Sequence, residues 1–200
     1  ARYNINDALE ERVSFEDILL EGPLGLRIMP SGSGLASLAD LSMAQRVQLL
    51  DKIQEVAQNF DLLLIDTGAG ISESVLHLNA IADAIMLVTT QEPHALKDAL
   101  AFAKVISARY GKRNINVIVN QATTPAQGIK VYQGLAEVAK SWCGIDLNFA
   151  GTVPRDSALE RAVMLQRAGD EQVKHTLAGQ AWNEITRRIM EMLREAPHAD

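Results

Sequence analysis

Apolar runs that alternate with helix-like segments constrain the fold of this chain more than any other feature. Leu62–Ile65 contains four apolar residues in a row, and comparable runs occupy 84–90, 115–119 and 147–153. Strands that are buried on both faces of a parallel sheet have this unbroken apolar character. The segments between the runs carry apolar residues three and four positions apart, as amphipathic helices do. The pattern therefore predicts an α/β fold with a three-layer, doubly wound, mainly parallel sheet.

A fifth strand is predicted at Leu24–Met29, between Gly22-Pro23 and a Gly/Ser loop at 30–34. Ser42 and Gln45 form a capping box, which marks the start of a helix. The predicted helices cover 5–21, 42–60, 72–82, a segment that starts at Pro93, another that starts at Thr124, 156–166 and 171–195. In the helix at 42–60 the residues expected to face the core are Val47, Leu50, Ile53, Ala57 and Phe60. In the helix from Thr124 they are Ile129, Tyr132, Leu135, Ala139 and Trp142.

Composition excludes several functional classes. The 200 residues suit a single domain and carry a net charge of −6 without a Lys/Arg-rich block, so we expect no direct binding of nucleic acid. No apolar run approaches the roughly 20 residues that cross a bilayer, and the first residues show no signal-peptide pattern. Cys143 is the one cysteine of the sequence, and the four histidines lack the spacing of metal ligands. These observations predict a cytoplasmic protein.

The first candidate site follows the apolar run Leu62–Ile65. That run ends on Asp66, and the residues at 67–70 are Thr-Gly-Ala-Gly. Ligands of open α/β sheets bind beyond the carboxyl ends of strands, and a carboxylate beside a small-residue loop suits a nucleotide-linked Mg²⁺ or an attacking water. Equally, Asp66 could cap the next turn while the glycines supply backbone freedom. The residues alone leave both interpretations open.

Four segments of the chain resemble the MinD/ParA-type (SIMIBI) P-loop ATPases, and especially their flagellar branch, the FlhG/FleN regulators of flagellar number. The segments are Leu62–Gly70, Val88–Pro93, Val117–Asn120 and Gly151–Asp156. They occur in the order of the family and span nearly the whole chain. The Asp-Thr-Gly-Ala-Gly and Val-Pro-Arg-Asp motifs favour the flagellar branch over the cell-division branch.

The resemblance implies two roles near the phosphates of ATP. Asp66 matches the Walker B aspartate, which acts on Mg²⁺ through its water shell. Gly68 matches the switch glycine whose backbone lies near the γ-phosphate, and Thr67 lies between them in the same nucleotide-binding segment. Asp66 and Gly68 are therefore the expected catalytic residues, and Asp66 is the expected metal ligand.

The resemblance also implies a site for the base. Asn120 matches the residue that hydrogen-bonds adenine, since an amide offers both a donor and an acceptor. Pro154, Arg155 and Asp156 match the loop that borders the base. Each assignment has a structural alternative, because Asn120 could cap the next turn and Asp156 is a good helix N-cap.

The chain departs from the family pattern at the phosphate-binding loop. No Gly-x-x-x-x-Gly-Lys-Ser/Thr motif occurs in the 200 residues, and the Gly-rich loop at 32–34 contains no lysine. We therefore expect an N-terminally incomplete MinD-like domain that lacks the first strand and P-loop and leaves strand edges unpaired. We also expect that this chain by itself does not hydrolyse ATP, because phosphoryl transfer requires positioning and charge neutralisation.

The last predicted helix combines an apolar stripe with a mixed-charge face. Trp182, Ile185, Ile189 and Met192 form the stripe, and acids stand among the arginines of the other face. Family members often end in an amphipathic helix that binds membranes, but the acids weaken attraction to anionic lipid. We expect a helix that packs on the sheet, with any membrane segment beyond Asp200.

By resemblance, the intact protein would bind ATP and Mg²⁺, form a homodimer with ATP and hydrolyse it slowly. The implied partners are a flagellar GTPase similar to FlhF and a flagellar transcriptional activator, with peripheral association at the inner face of the cell membrane. Two alternatives remain. One is a protein-interaction module that works without nucleotide, and the other is a MinD/ParA relative that serves division or partition.

Overall fold

The computed structural model describes residues 3–30, 43–167, 169 and 171–195. Its α-helices are α1 (Ile5–Leu9), α2 (Met43–Ala57), α3 (Glu73–Ile81), α4 (Pro93–Tyr110), α5 (Pro125–Cys143), α6 (Ser157–Met164) and α7 (Leu177–Glu195). Its strands are β1 (Leu20–Glu21), β2 (Arg27–Ile28), β3 (Ile85–Thr89), β4 (Ile115–Ala122) and β5 (Asn148–Pro154). Two compact units divide the chain, one of Ala1–Gly68 with Ser72–Val75 and one of Ala69–Ile71 with Leu76–Asp200.

The first unit is built around a small apolar cluster. Asn4 caps α1, since its Oδ1 accepts the amide of Asn6 at 2.8 Å while Asp7 Oδ2 accepts the amide of Asn4 at 3.0 Å. This reciprocal capping box fixes the start of a short helix. The buried members of the cluster are Ile5, Ala8, Leu9, Phe15, Ile18, Leu49 and Val56. The cluster joins α1 and the turns after it to one face of α2.

Two predicted strands in this unit are wrong. Leu62–Ile65 pairs with no strand among the described residues, and Leu64 is 77% exposed. Leu24–Met29 is no buried strand, because Leu24 takes a left-handed conformation (φ 57°) in the turn that joins the short antiparallel strands β1 and β2. An apolar run is buried only where other elements cover it, and the local sequence does not specify those elements.

The interior face of α2 also differs from the predicted one. Leu49 and Val56 are buried and the predicted Ile53 packs against their cluster, whereas Val47 and Phe60 are exposed. The spacing of apolar residues correctly predicted an amphipathic helix. The two faces of this helix differ little in hydrophobicity, so the sequence did not determine which face points to the core. The Ser42 half of the predicted capping box and the loop at 31–34 lie outside the described residues.

The second unit contains a parallel sheet in the order β3-β4-β5. The strands follow the predicted runs closely, and the middle strand β4 is almost completely buried. Helices flank the sheet: α4 contacts β3, α5 contacts β4 and β5, and α7 contacts β5. The predicted α/β class with a parallel, helix-flanked sheet is confirmed, although the sheet of the described residues has three strands rather than five.

Turn chemistry sets the helix boundaries of this unit. Pro93 begins α4, and Thr124 caps α5 by accepting the amide of Gln127 at 3.2 Å. Both helices end at a glycine in the left-handed region, Gly111 (φ 68°) and Gly144 (φ 65°), where side-chain-bearing residues are strained. These starts confirm the sequence predictions.

The packing of two helices corrects the predicted interior. In α5 Leu135 and Ala139 are buried as expected, but Ile129 is exposed, and Trp142, in the last turn of the helix, is 78% exposed. The final helix begins at Leu177, after a 3₁₀ turn at Glu171–His175. As predicted, α7 packs on the sheet, where its Ile185 joins Ile118, Ala150, Val153 and Ala178 in one buried cluster. Among the described helices, none has the length and apolar character of a membrane span.

Candidate functional site

The carboxyl ends of β3, β4 and β5 form a common edge in the second unit. Thr89, Val119 and Thr152 stand side by side in the ladder of the three strands. The residues that follow this row therefore lie at the edge where open α/β sheets bind ligands. Asn120 follows in β4, and Pro154 and Arg155 follow at the end of β5.

The end of β4 has an irregular backbone that fixes the side chain of Asn120. The register shifts between Val119 and Ala122, and Gln121 takes a left-handed conformation (φ 54°). Asn120 Oδ1 accepts the amide of Gln121 at 2.9 Å. Bulges and strained residues of this kind often accompany binding sites. The half-buried amide of Asn120 keeps its Nδ2 donor and a second oxygen lone pair for a ligand, which suits the edge of a purine base.

A backbone bond connects the loop after β5 to this bulge. The amide of Arg155 donates to the carbonyl of Ala122 at 2.9 Å. Pro154 is half-buried at the end of β5, and the side chain of Arg155 is exposed. The structure thus brings together Asn120 and the predicted base-binding loop at one edge of one sheet.

The carboxylate of Asp156 is held by three backbone amides. Its Oδ1 accepts from Ala158 at 2.9 Å and from Leu159 at 3.2 Å, in the first turn of α6. Its Oδ2 accepts from Ala178 at 2.9 Å, in the first turn of α7. These bonds, that from Ala178 most of all, and the hydroxyl of Thr176 lower the pKa of Asp156 from 3.8 to about 2. The cap that was the structural alternative for Asp156 is therefore present, while direct contact with a base stays a prediction.

Gln91 is a candidate that the sequence interpretation missed. It follows β3 at the same edge, and its buried Oε1 has no hydrogen-bond partner among the described residues. A buried polar atom without a partner is costly and therefore rare in native proteins. The available signal was a polar residue directly after an apolar strand, as for Asn120.

Asp66, Thr67 and Gly68 belong to the first unit, where Asp66 and Gly68 are exposed. No group of three or more metal-ligating side chains occurs in the described part of the chain. A single carboxylate fits Mg²⁺ only where the phosphates of a nucleotide supply further oxygens, since Mg²⁺ requires near-octahedral coordination. The metal-binding and catalytic roles of these residues stay predictions.

Comparisons with known proteins show which proteins the chain resembles in sequence. No family model matches the chain. Over 92% of its own length, the chain is 32% identical to the antiactivator FleN of Pseudomonas aeruginosa. Over 80% of its length, it is 30% identical to the flagellum site-determining protein YlxH of Helicobacter pylori. It is also 28% identical, over 79%, to an uncharacterized ATP-binding protein of Methanocaldococcus jannaschii. The chain spans 65%, 54% and 56% of these relatives, respectively.

The fold has a close counterpart among solved structures. A chain of the MinC:MinD cell division protein complex of Aquifex aeolicus superposes with a TM-score of 0.69 and 25% identity. The match covers 94% of this chain and 73% of the Aquifex chain. The sequence matches and the structural match therefore lead to the same group of proteins, which includes FleN, YlxH and MinD.

Proposed function

Because the chain is a MinD/ParA-type protein similar to FleN, we propose that it belongs to a regulator of flagellar number or placement. The observation that carries this proposal is the 32% identity with the antiactivator FleN along 92% of the chain. The similarity to a flagellum site-determining protein favours the flagellar branch in the same way. ATP-binding relatives and the MinD fold support use of ATP in the family.

In the proposed mechanism, the carboxyl edge of the sheet receives the base of ATP. Asn120 would hydrogen-bond the adenine through its amide, while Pro154 and Arg155 border the ring. Asp66 would hold Mg²⁺ that is bound to the phosphates, with Thr67 and Gly68 beside the γ-phosphate. When bound, Mg²⁺ would neutralise charge that develops on the transferred phosphoryl group.

The lysine-bearing phosphate loop of the family has no counterpart in these 200 residues. We therefore assign ATP hydrolysis to the intact protein and expect no hydrolysis by this chain alone. Among the described residues, β3 is an edge strand of its sheet and offers backbone groups to a further strand.

Dimerisation and partner binding belong to the same proposal. The Aquifex counterpart is the MinD of a complex with MinC, which supports protein association as a property of the fold. For this protein we propose a homodimer in the presence of ATP, an FlhF-like GTPase and a flagellar transcriptional activator as partners, and peripheral association with the membrane.

Deletion of the gene tests the function. Flagella are counted by electron microscopy in the parent strain, in the deletion strain and in strains complemented with wild-type, Asp66→Ala or Asn120→Ala protein. We expect an altered flagellar number that the wild-type gene restores and the two variants do not. An unchanged flagellar number together with misplaced division septa would instead identify a division regulator.

A second candidate function is a binding module that acts without nucleotide, which the sequence leaves open. Restoration of flagellar number by Asp66→Ala and Asn120→Ala would support this alternative. Calorimetric titration of the purified intact protein with ATP and Mg²⁺ distinguishes the two functions independently, because a nucleotide-independent module would bind no ATP.

A further inference from the structure

One side chain joins two helices that are distant in sequence. Asp156 ends the loop after β5, and its two carboxylate oxygens accept amides from different helices: Oδ1 from the first turn of α6 and Oδ2 from Ala178 of α7. The bond to Ala178 spans 22 residues of sequence. A cap that served α6 alone would leave the second oxygen to solvent. The position of α7 is thereby attached to the loop.

The same loop is attached on its other side to the middle strand. Arg155, next in sequence to Asp156, donates its amide to the carbonyl of Ala122 at 2.9 Å. Ala122 closes the bulge that contains Gln121 and begins after Val119. A continuous set of short bonds therefore runs from the first turn of α7 through Asp156 and Arg155 to the end of β4.

The packing of α7 makes this connection consequential. Ile185 is buried against β5, and Gly151 of β5 has no room for a side chain because a Cβ there would overlap Ile185. By contrast Leu177 at the start of α7 is 66% exposed. The start of α7 is therefore held by the amide bond to Asp156, by the burial of Ala178 and by Thr176, whose Oγ1 accepts the amide of Gly179 at 3.1 Å. Of these three, the bond to Asp156 is the one that reaches the loop after β5.

We propose that Asp156 is a positioning residue that couples the docking of α7 to the geometry of the carboxyl edge at Asn120–Ala122. A change that loosens the start of α7 loosens the Arg155–Ala122 bond, and the reverse holds by thermodynamic reciprocity. That this edge holds a nucleotide base rests on the proposed function. The coupling itself concerns the free chain and does not require a nucleotide.

Amide hydrogen exchange of the 200-residue chain, resolved by NMR, tests the coupling in one direction. Asp156→Asn keeps one acceptor oxygen and a good N-cap for α6, but it cannot accept at both helices. We expect exchange of the Ala178 and Arg155 amides to accelerate about tenfold, which is the loss of one net hydrogen bond. Glu160→Gln removes the same charge from the first turn of α6 and should leave both amides unchanged.

The coupling is tested in the reverse direction by loosening the packing of α7. Ile185→Val loosens the buried contact with β5, and Ile106→Val deletes the same methylene group from the buried face of α4 as a matched control. The coupling predicts faster exchange at Arg155 in Ile185→Val and not in Ile106→Val. Because Ile185→Val leaves Asp156 intact, this arm decides even where Asp156→Asn fails to fold.

Each other outcome overturns the proposal. Unchanged exchange of Ala178 in Asp156→Asn would mean that the bridge to α7 does not exist in solution. Faster exchange of Ala178 with an unchanged Arg155 would make Asp156 a local helix cap. Equal effects of Ile185→Val and Ile106→Val on Arg155 would show global destabilisation instead of coupling. None of these results depends on nucleotide binding, so they leave the proposed function untouched.

Discussion

Two segments with the same sequence pattern have opposite environments in this molecule. Val117–Val119 is an apolar run that ends on the polar Asn120, and it is buried in the centre of a sheet. Leu62–Ile65 is an apolar run that ends on Asp66; its three leucines are exposed, and it pairs with no strand among the described residues. The difference shows that an apolar run followed by a polar residue specifies a potential strand. Neighbouring strands and helices decide whether it becomes a buried one.

The largest expected effect is a difference in the stability lost when each of these two segments is truncated. Ile118→Ala should lower the free energy of unfolding by about 2–5 kcal/mol, since it leaves a cavity between β4 and α7. Leu64→Ala should change it by less than about 0.5 kcal/mol, since Leu64 is 77% exposed. Urea unfolding measures both. Equal losses would mean that Leu62–Ile65 is buried in solution, and the contrast between the segments would disappear.

A second pair of variants tests how tightly helices cover the buried segment. Gly128 of α5 lies against Thr152 of β5, and a Cβ there would overlap its side chain. Gly128→Ala should therefore cost about 1–3 kcal/mol through overpacking. Gly134→Ala in the same helix meets nothing within 4 Å and should instead stabilise by about 0.5–1 kcal/mol. Thermal denaturation gives both signs, and a neutral Gly128→Ala would contradict the close packing of α5 on β5.

The third prediction concerns the pH dependence of stability that Asp156 causes at the carboxyl edge of the buried sheet. The pKa of Asp156 is about 2 in the folded chain and 3.8 without its bonds. Because the folded pKa is the lower one, the stabilisation is complete above pH 3.8 and is lost as the pH falls toward 2. At pH 5 Asp156→Asn should be less stable than wild type by about 1 kcal/mol. The difference should shrink toward pH 2, and a constant difference across this range would refute the assigned bonds.

The smallest expected effect concerns the backbone at the end of β4. Gln121 holds a left-handed conformation that glycine adopts without steric cost. Gln121→Gly should therefore raise the free energy of unfolding by up to about 1 kcal/mol. Gln133→Gly, at an exposed position within α5 and without a positive φ, serves as the control and should lower the stability by about 0.5–1 kcal/mol. Loss of stability in Gln121→Gly would show that the side chain of Gln121 contributes more than the strain costs.

Local patterns predicted those parts of the fold whose cause is local. The starts of α4 and α5 follow from Pro93 and from Thr124-Pro125, and the three strands of the sheet follow from their apolar runs. The exposure of Trp142 and of Leu62–Ile65 could not be predicted, because burial depends on elements that are remote in sequence.

The candidate site divides in the same way. Asn120 and the loop at 154–156 were predicted from the family resemblance, and the structure has both at the carboxyl edge of the parallel sheet. Their contact with a base stays a prediction. The bond between Asp156 and Ala178 was not, since no local pattern contains two residues that are 22 positions apart. The joint pocket of Asp66 with Asn120 stays a prediction, as the two residues belong to different compact units.

The central claim is that the carboxyl edge at Asn120 and 154–156 receives the base of ATP in the intact protein. Amide exchange of that protein with and without ATP and Mg²⁺ tests it most directly. We predict that ATP slows exchange at Asn120–Ala122 and at Arg155–Asp156, while Asn114 and Asn148 at the opposite edge of the sheet are unaffected. ATP binding that leaves Asn120–Ala122 and Arg155–Asp156 unprotected would contradict the claim.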